Sequence, residues 1–165
     1  MKKTIAAAVL SVCLVLSGCS AKWVNVAEAD LPILVNLVSS VVALADPSAD
    51  KEIQEYAAEA GTDLQVIKSL VDEYNAAPSA SKVTTQAKIS TTLAEVSNHL
   101  NAILTAAHVK NTTKAQHIAE AVQVAILTVT SIAALVNNQK TVAQLPTPQE
   151  LQVAVNDLNT QIGGK

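Results

Sequence analysis

A thiol and three imidazoles are the side chains of this sequence with the most chemistry to offer. Cys19 stands behind Leu16, Ser17 and Gly18 at the end of an apolar run that also contains Cys13. His99, His108 and His117 follow one another at nine-residue spacing. Thiolate and imidazole are common zinc ligands, and each becomes a base or nucleophile when a partner activates it. Helix geometry argues against shared metal ligation. Nine residues at 100° each put His99 and His108 on opposite sides of one helix. Glu95 with His99, and His117 with Glu120, imitate a bundle metal site, but di-iron bundles use the order Glu-x-x-His. Counted from a turn near Asn111, His99 and His117 differ by about 9 Å in height. His108 and His117 differ by only about 4.5 Å on the same count, yet no third ligand accompanies them. The expectation is no metal site and no cofactor, with the histidines exposed or half-buried.

Catalytic arrangements are equally hard to assemble. No serine sits in a Gly-x-Ser-x-Gly turn. The four glycines, Gly18, Gly61, Gly163 and Gly164, form no phosphate cradle. Glu52, Glu55 and Glu59 read as a solvated helix face, and Tyr56 and Tyr74 fall on apolar stripes as core residues. No catalytic residue is expected, and the chain reads as a non-enzyme.

The N-terminus is more explicit. Lys2 and Lys3 precede an uncharged stretch, Thr4 to Ser17, rich in Ala, Val and Leu. A charged head before a core of about 7–15 apolar residues is the layout of a secretory signal. It is short for a membrane span, which takes about 20 apolar residues. The closing Leu16-Ser17-Gly18-Cys19 resembles the lipobox of bacterial lipoproteins, a likeness confined to residues 1–20. The resemblance implies cleavage between Gly18 and Cys19, with residues 1–18 removed. It also implies a diacylglycerol on the Cys19 thiol and often a further acyl chain, such as palmitate, on the new amine. Each buried methylene contributes about 0.8 kcal/mol, and one myristoyl chain anchors only marginally. Two or three chains would hold the protein at the membrane. Cys13 would leave with the signal, so no disulfide is expected even in an oxidising compartment.

Loss of residues 1–18 leaves 147 of the 165, enough for one domain. Nine lysines then face 14 acids, a net charge of −5, and there is no arginine. Trp23, Tyr56 and Tyr74 are the only aromatic residues. Without a guanidinium fork or stacking platforms, and with an acidic balance, nucleic-acid binding is excluded as a reading. The apolar content of Ala, Val, Leu and Ile is core material.

Apolar spacing over residues 24–165 predicts an all-α fold: an antiparallel up-and-down bundle of four main helices plus shorter helices. The first helix, 24–45, carries Ala27, Leu31, Leu34, Val38, Val41 and Ala45, with Ile33, Leu37 and Leu44 widening the stripe. Such breadth places it in the middle of the bundle. Pro32 should kink it or mark its start. A second helix, 48–60, ends at Gly61 as a C′ residue, and Thr62-Asp63-Leu64-Gln65 forms a capping box for a third, 63–75. The fourth, 81–108, buries Val83, Ala87, Leu93, Val96 and Leu100 and turns Thr84, Thr85, Lys88, Thr92 and His99 outward. The fifth opens on a second capping box, Thr113 to Gln116, and runs to about 137. Its stripe is Ile118, Val122, Ala125, Val129 and Ile132, with a second made of Val124, Leu127 and Leu135, so it too reads as central. Thr147-Pro148-Gln149-Glu150 caps the last.

Residues 19–23 form a short lipid-anchored tether. The few residues between Cys19 and Trp23 span at most about 14 Å, so the bundle would lie against the bilayer. Lys22 and Trp23 fit two placements: the lipid headgroup layer, which tryptophan and lysine favour, or a staple of Trp23 onto the core. Ser20 resembles the residue that follows the lipidated cysteine in enterobacterial lipoproteins sent to the outer membrane. The sequence therefore predicts a cell-envelope lipoprotein, on the periplasmic face of the outer membrane in a Gram-negative host. Its partners would be the membrane, through the anchor, and an envelope protein. The alternative is a carrier that takes a small apolar ligand between its helices.

Overall fold

The computed structural model describes the backbone of residues 2–110, 112–138 and 146–163, and side chains within those ranges from Lys22 onward. Five helices follow one another: α1 Lys2–Leu44, α2 Lys51–Ala76, α3 Ser79–Lys110, α4 Thr113–Val136 and α5 Pro148–Gly163. No strand occurs among the described residues. α1 borders α2 and α4, α3 borders α2 and α4, and α1 and α3 lie across the diagonal. Short connections reverse the chain between consecutive long helices, which makes the four an up-and-down bundle. The shorter α5 packs against α1 and α4.

The seams explain the packing. Ala27, Leu31, Leu34, Val38 and Val41 on α1 are at most 2% exposed. Ile53, Ala57, Ala60, Leu64, Ile67 and Val71 on α2, and Ile118, Val122, Ala125, Val129 and Ile132 on α4, are buried as deeply. Three–four alternation is a 3.5-residue repeat, which suits shallow crossings of about 20°. α1 and α4 each meet three neighbours, whereas α2 and α3 meet two. The two broadly apolar helices are the central ones, as their sequences predict. Lys22–Leu44 and Thr113–Val136 are also long and apolar enough to cross a membrane. Much of that apolar surface is covered within the bundle.

Several local expectations are corrected. α1 passes through Pro32 unbroken. The proline is on the exposed face, where the Glu28 carbonyl left without its N–H partner can meet water. Gly61 does not end a helix, and α2 is one helix over both expected segments. The Thr62 hydroxyl donates back to the Ala58 carbonyl (3.0 Å) and caps nothing. Ala57, Ala60, Leu64 and Ile67 are fully buried on both sides of Gly61, and their packing outweighs a glycine penalty of about 1 kcal/mol.

The N-terminal part of α3 is rotated from its predicted phase. Val83 is 73% exposed and Ala87 is exposed, while Thr85, Ile89 and Thr92 are buried. The threonine hydroxyls make this possible. Thr85 Oγ1 donates to Glu73 Oε1 (3.0 Å) and Thr92 Oγ1 to the Lys88 carbonyl (3.1 Å), leaving their methyl groups to the core. Leu127, placed on a second apolar stripe, is 53% exposed. The cap of α4 is Thr112 rather than Thr113, its hydroxyl accepting from the Ala115 amide. The cap of α5 is the expected one. The Thr147 amide donates to Glu150 Oε2 (2.6 Å), and the Glu150 amide donates to Thr147 Oγ1 (3.2 Å). The Thr147 amide foremost, and the Thr147 hydroxyl that also donates to Glu150 Oε2 (3.0 Å), hold the Glu150 carboxyl below its ordinary range.

Side chains from neighbouring helices close the remaining ends. Gln54 Nε2 donates to the Val42 and Ala45 carbonyls at the end of α1 (3.3 and 3.1 Å). Gln86 Nε2 donates to the Val136 carbonyl at the end of α4. Lys110 donates to the Ala49 carbonyl and pairs with Asp50 (3.3 Å). The two glutamine side chains satisfy carbonyls that a helix C-terminus leaves without partners, and the lysine ties the end of α3 to the turn before α2.

Candidate functional site

Gly18 and Cys19, the expected cleavage and lipidation positions, have side chains outside the described residues. Lys22 is exposed. Of the two placements the sequence left open, Trp23 takes the one on the core, not the one at the lipid headgroups. Its ring is 1% exposed and meets Tyr74 edge-on, with centroids 4.9 Å apart at 65°. Lys82 Nζ stands 4.8 Å from the Tyr74 ring centroid, a cation–π contact. The indole is enclosed so fully that its Nε1 has no hydrogen-bond partner among the described residues.

The histidines are dispersed, and His99 and His117 pair with carboxylates from other helices, not with Glu95 or Glu120. His99 on α3 faces α2. Its Nε2 lies 3.2 Å from Glu59 Oε2, and its Nδ1 lies 3.1 Å from Asp63 Oδ2, off line, so that neither atom of the second contact makes a hydrogen bond. Tyr56 stacks beside the imidazole at 6.3 Å. Tyr56 is 36% exposed, so it forms part of this surface cluster rather than the core. His117 on α4 holds Asp157 of α5 at 2.8 Å. His108 is exposed near the end of α3. In the His99 cluster the two carboxylates approach opposite ring nitrogens. No group of three or more His, Cys, Asp or Glu among the described residues is arranged to hold a metal ion.

The turn between α1 and α2 is organised around Asp46. Its Oδ1 accepts from the Ser48 hydroxyl (2.7 Å), the Ser48 amide (2.8 Å) and the Ala49 amide (3.1 Å). These bonds, the hydroxyl foremost, lower its pKa to about 2. Asp50 Oδ2 accepts in return from the Asp46 amide. The arrangement clasps the turn.

Asp30 is different. It is 2% exposed, and its Oδ1 has no hydrogen-bond partner among the described residues. Burial pushes its carboxyl above the ordinary carboxylate range. It lines an open hollow of about 320 Å³ with Asn25, Val26, Ala29, Pro146, Thr147 and Pro148, where the start of α5 meets α1. A second hollow of about 340 Å³ lies further along the same pair of helices and is lined partly by Asn36, Ser40 and Asn159. There the Ser40 hydroxyl donates to Asn159 Oδ1 (2.9 Å), so these two side chains already have partners. A third, about 390 Å³, lies beside His108 and Glu120. Nothing in the sequence singled out Asp30, because its burial depends on residues more than a hundred positions away.

Comparison with protein-family models, with curated proteins and with solved structures found no match to this chain.

Proposed function

We propose that the chain is a non-enzymatic lipoprotein of the bacterial cell envelope, a helical bundle held against the membrane by acyl chains on Cys19. The observation that carries this reading is the N-terminal order of Lys2-Lys3, an uncharged apolar stretch and Leu16-Ser17-Gly18-Cys19. The core placement of Trp23 supports the geometry. The packed bundle begins only four residues beyond the anchor, within α1, a rise of about 6 Å, so its exposed faces work at the membrane surface. Two or more acyl chains supply an anchor that one chain does not. Its role is to engage another envelope protein or to brace the envelope, on the periplasmic face of the outer membrane in a Gram-negative host. The alternative, a carrier of an apolar molecule between the helices, has less support. The bundle's centre is filled by side chains at or near 0% exposure, and the described hollows lie at the surface.

The test is metabolic labelling with palmitate in cells producing the full chain and Cys19→Ala. The expected result is label on the native protein alone, an acylated N-terminal peptide by mass spectrometry, and release of the variant from membranes. A variant that partitions wholly with membranes, or a native chain without acyl groups, refutes the reading. Crosslinking in intact cells then identifies the protein partner.

A further inference from the structure

Asp30 is the only charged side chain among the described residues that is buried. Four other buried polar side chains have partners: Ser40 bonds to Asn159, Thr85 to Glu73, Thr92 to the Lys88 carbonyl and Thr128 to the Val124 carbonyl. Asp30 also serves no helix cap, since α1 runs through it. A buried carboxylate without a partner opposes folding, so a group that completes it would bind with that cost already met by the fold.

The hollow defines that group. Val26, Ala29, Pro146 and Pro148 give it apolar walls. Thr147 is committed to Glu150 through both its amide and its hydroxyl. Asp30 and Asn25 are then the uncommitted polar side chains of the lining. No lysine or histidine lines it, so nothing there attracts an anion. Two side chains are too few for calcium, which takes six to eight oxygen ligands. A neutral apolar molecule would leave the carboxylate without a partner. A compact carbon frame carrying one ammonium satisfies both halves of the site, because a charge-assisted N–H···O bond is about twice as strong as a neutral one.

We propose that the Asp30 hollow binds a small organic ammonium cation, its charge on the Asp30 carboxylate and its carbon frame against Val26, Ala29, Pro146 and Pro148. The cation comes either from a free amine or from the aminoethyl group of a lipid headgroup.

The probe is n-butylammonium, titrated into isotopically labelled full-length protein in a neutral detergent and followed by amide NMR. Uncharged 1-butanol is the control of equal shape. Saturable shifts are expected at the Ala29, Asp30 and Thr147 amides, with a dissociation constant of about 1 mM, on the scale open to so small a probe. Butylammonium should bind at least about tenfold more tightly than 1-butanol, and Asp30→Asn should remove that preference. Ala29→Leu, at an exposed position, keeps the carboxylate and fills the hollow, and should also abolish saturation. It carries the test if Asp30→Asn unfolds. Dihexanoyl phosphatidylethanolamine displacing the probe identifies a headgroup source, and failure to displace it identifies a free amine. Equal shifts with butanol, butylammonium binding undiminished in either folded variant, or no saturation by about 100 mM would mean a hydrated carboxylate only and overturn the proposal.

Discussion

Replacing Trp23 decides whether this residue belongs to the bundle or to the membrane. The ring is 1% exposed and packs edge-on against Tyr74. Truncating a buried tryptophan to alanine costs about 3–5 kcal/mol through lost burial and the cavity left behind. Against a total stability of about 5–15 kcal/mol, that is a large fraction. Phenylalanine is a different perturbation. It keeps a ring against Tyr74 and removes the Nε1 donor, which has no partner among the described residues. Relieving a buried donor of that kind returns about 1–3 kcal/mol, comparable with the loss from the smaller ring. Trp23→Phe should therefore stay within about 1 kcal/mol of the native protein, while Trp23→Ala falls well below both. The assay is urea unfolding of the full chain in neutral detergent, followed by circular dichroism at the helical band. With a slope of about 2 kcal/mol per molar urea, the alanine variant should lose about 2 M from its midpoint. Fluorescence of the native protein gives an independent reading, since Trp23 is its only tryptophan. Brominated lipid should quench it weakly. An alanine midpoint within about 0.5 M of native, or strong quenching by brominated lipid, refutes the core placement.

Two further outcomes follow from named contacts. Gly61→Ala should raise stability by about 0.5–1 kcal/mol, because a Cβ there meets only Val38 Cγ1 at 3.6 Å, an ordinary contact; urea midpoints check this, and a lowered midpoint would count against a continuous α2. Asp46 titrates near 2 instead of its ordinary 3.8. Its folded pKa is depressed, so its contribution is fully present above 3.8 and fades as pH falls through about 2. Carboxyl NMR titration should show the low value, with Ser48→Ala moving it upward, and a native value near 3.8 would remove the clasp.

Features that depend on neighbours in the chain were legible in the sequence. A capping box requires only a threonine and a glutamate three residues apart, and Thr147 and Glu150 form one. Three–four spacing on α1 and α4 specified their buried faces and even their central positions, since breadth of apolar surface requires more neighbours to cover it. The same local reasoning failed at Gly61 and Thr62, where a stop signal and an apparent cap were overridden by flanking buried side chains. It failed again on α3, where threonine hydroxyls bonded to Glu73 and to the Lys88 carbonyl turned two polar residues inward. The candidate site was the least legible part. Asp30 resembles any other acid in the sequence until the start of α5 closes over it.

The sequence by itself determined the helical class, the seams of α1 and α4 and the lipobox likeness at Cys19, because periodicity, composition and short motifs act within a few residues. The tertiary structure alone decided which ring faces Trp23, which carboxylates flank His99 and His117, and that Asp30 is shut away without a partner among the described residues. Those outcomes are set by groups brought together from distant segments, and burial is a property of the assembled neighbours rather than of the residue that is buried.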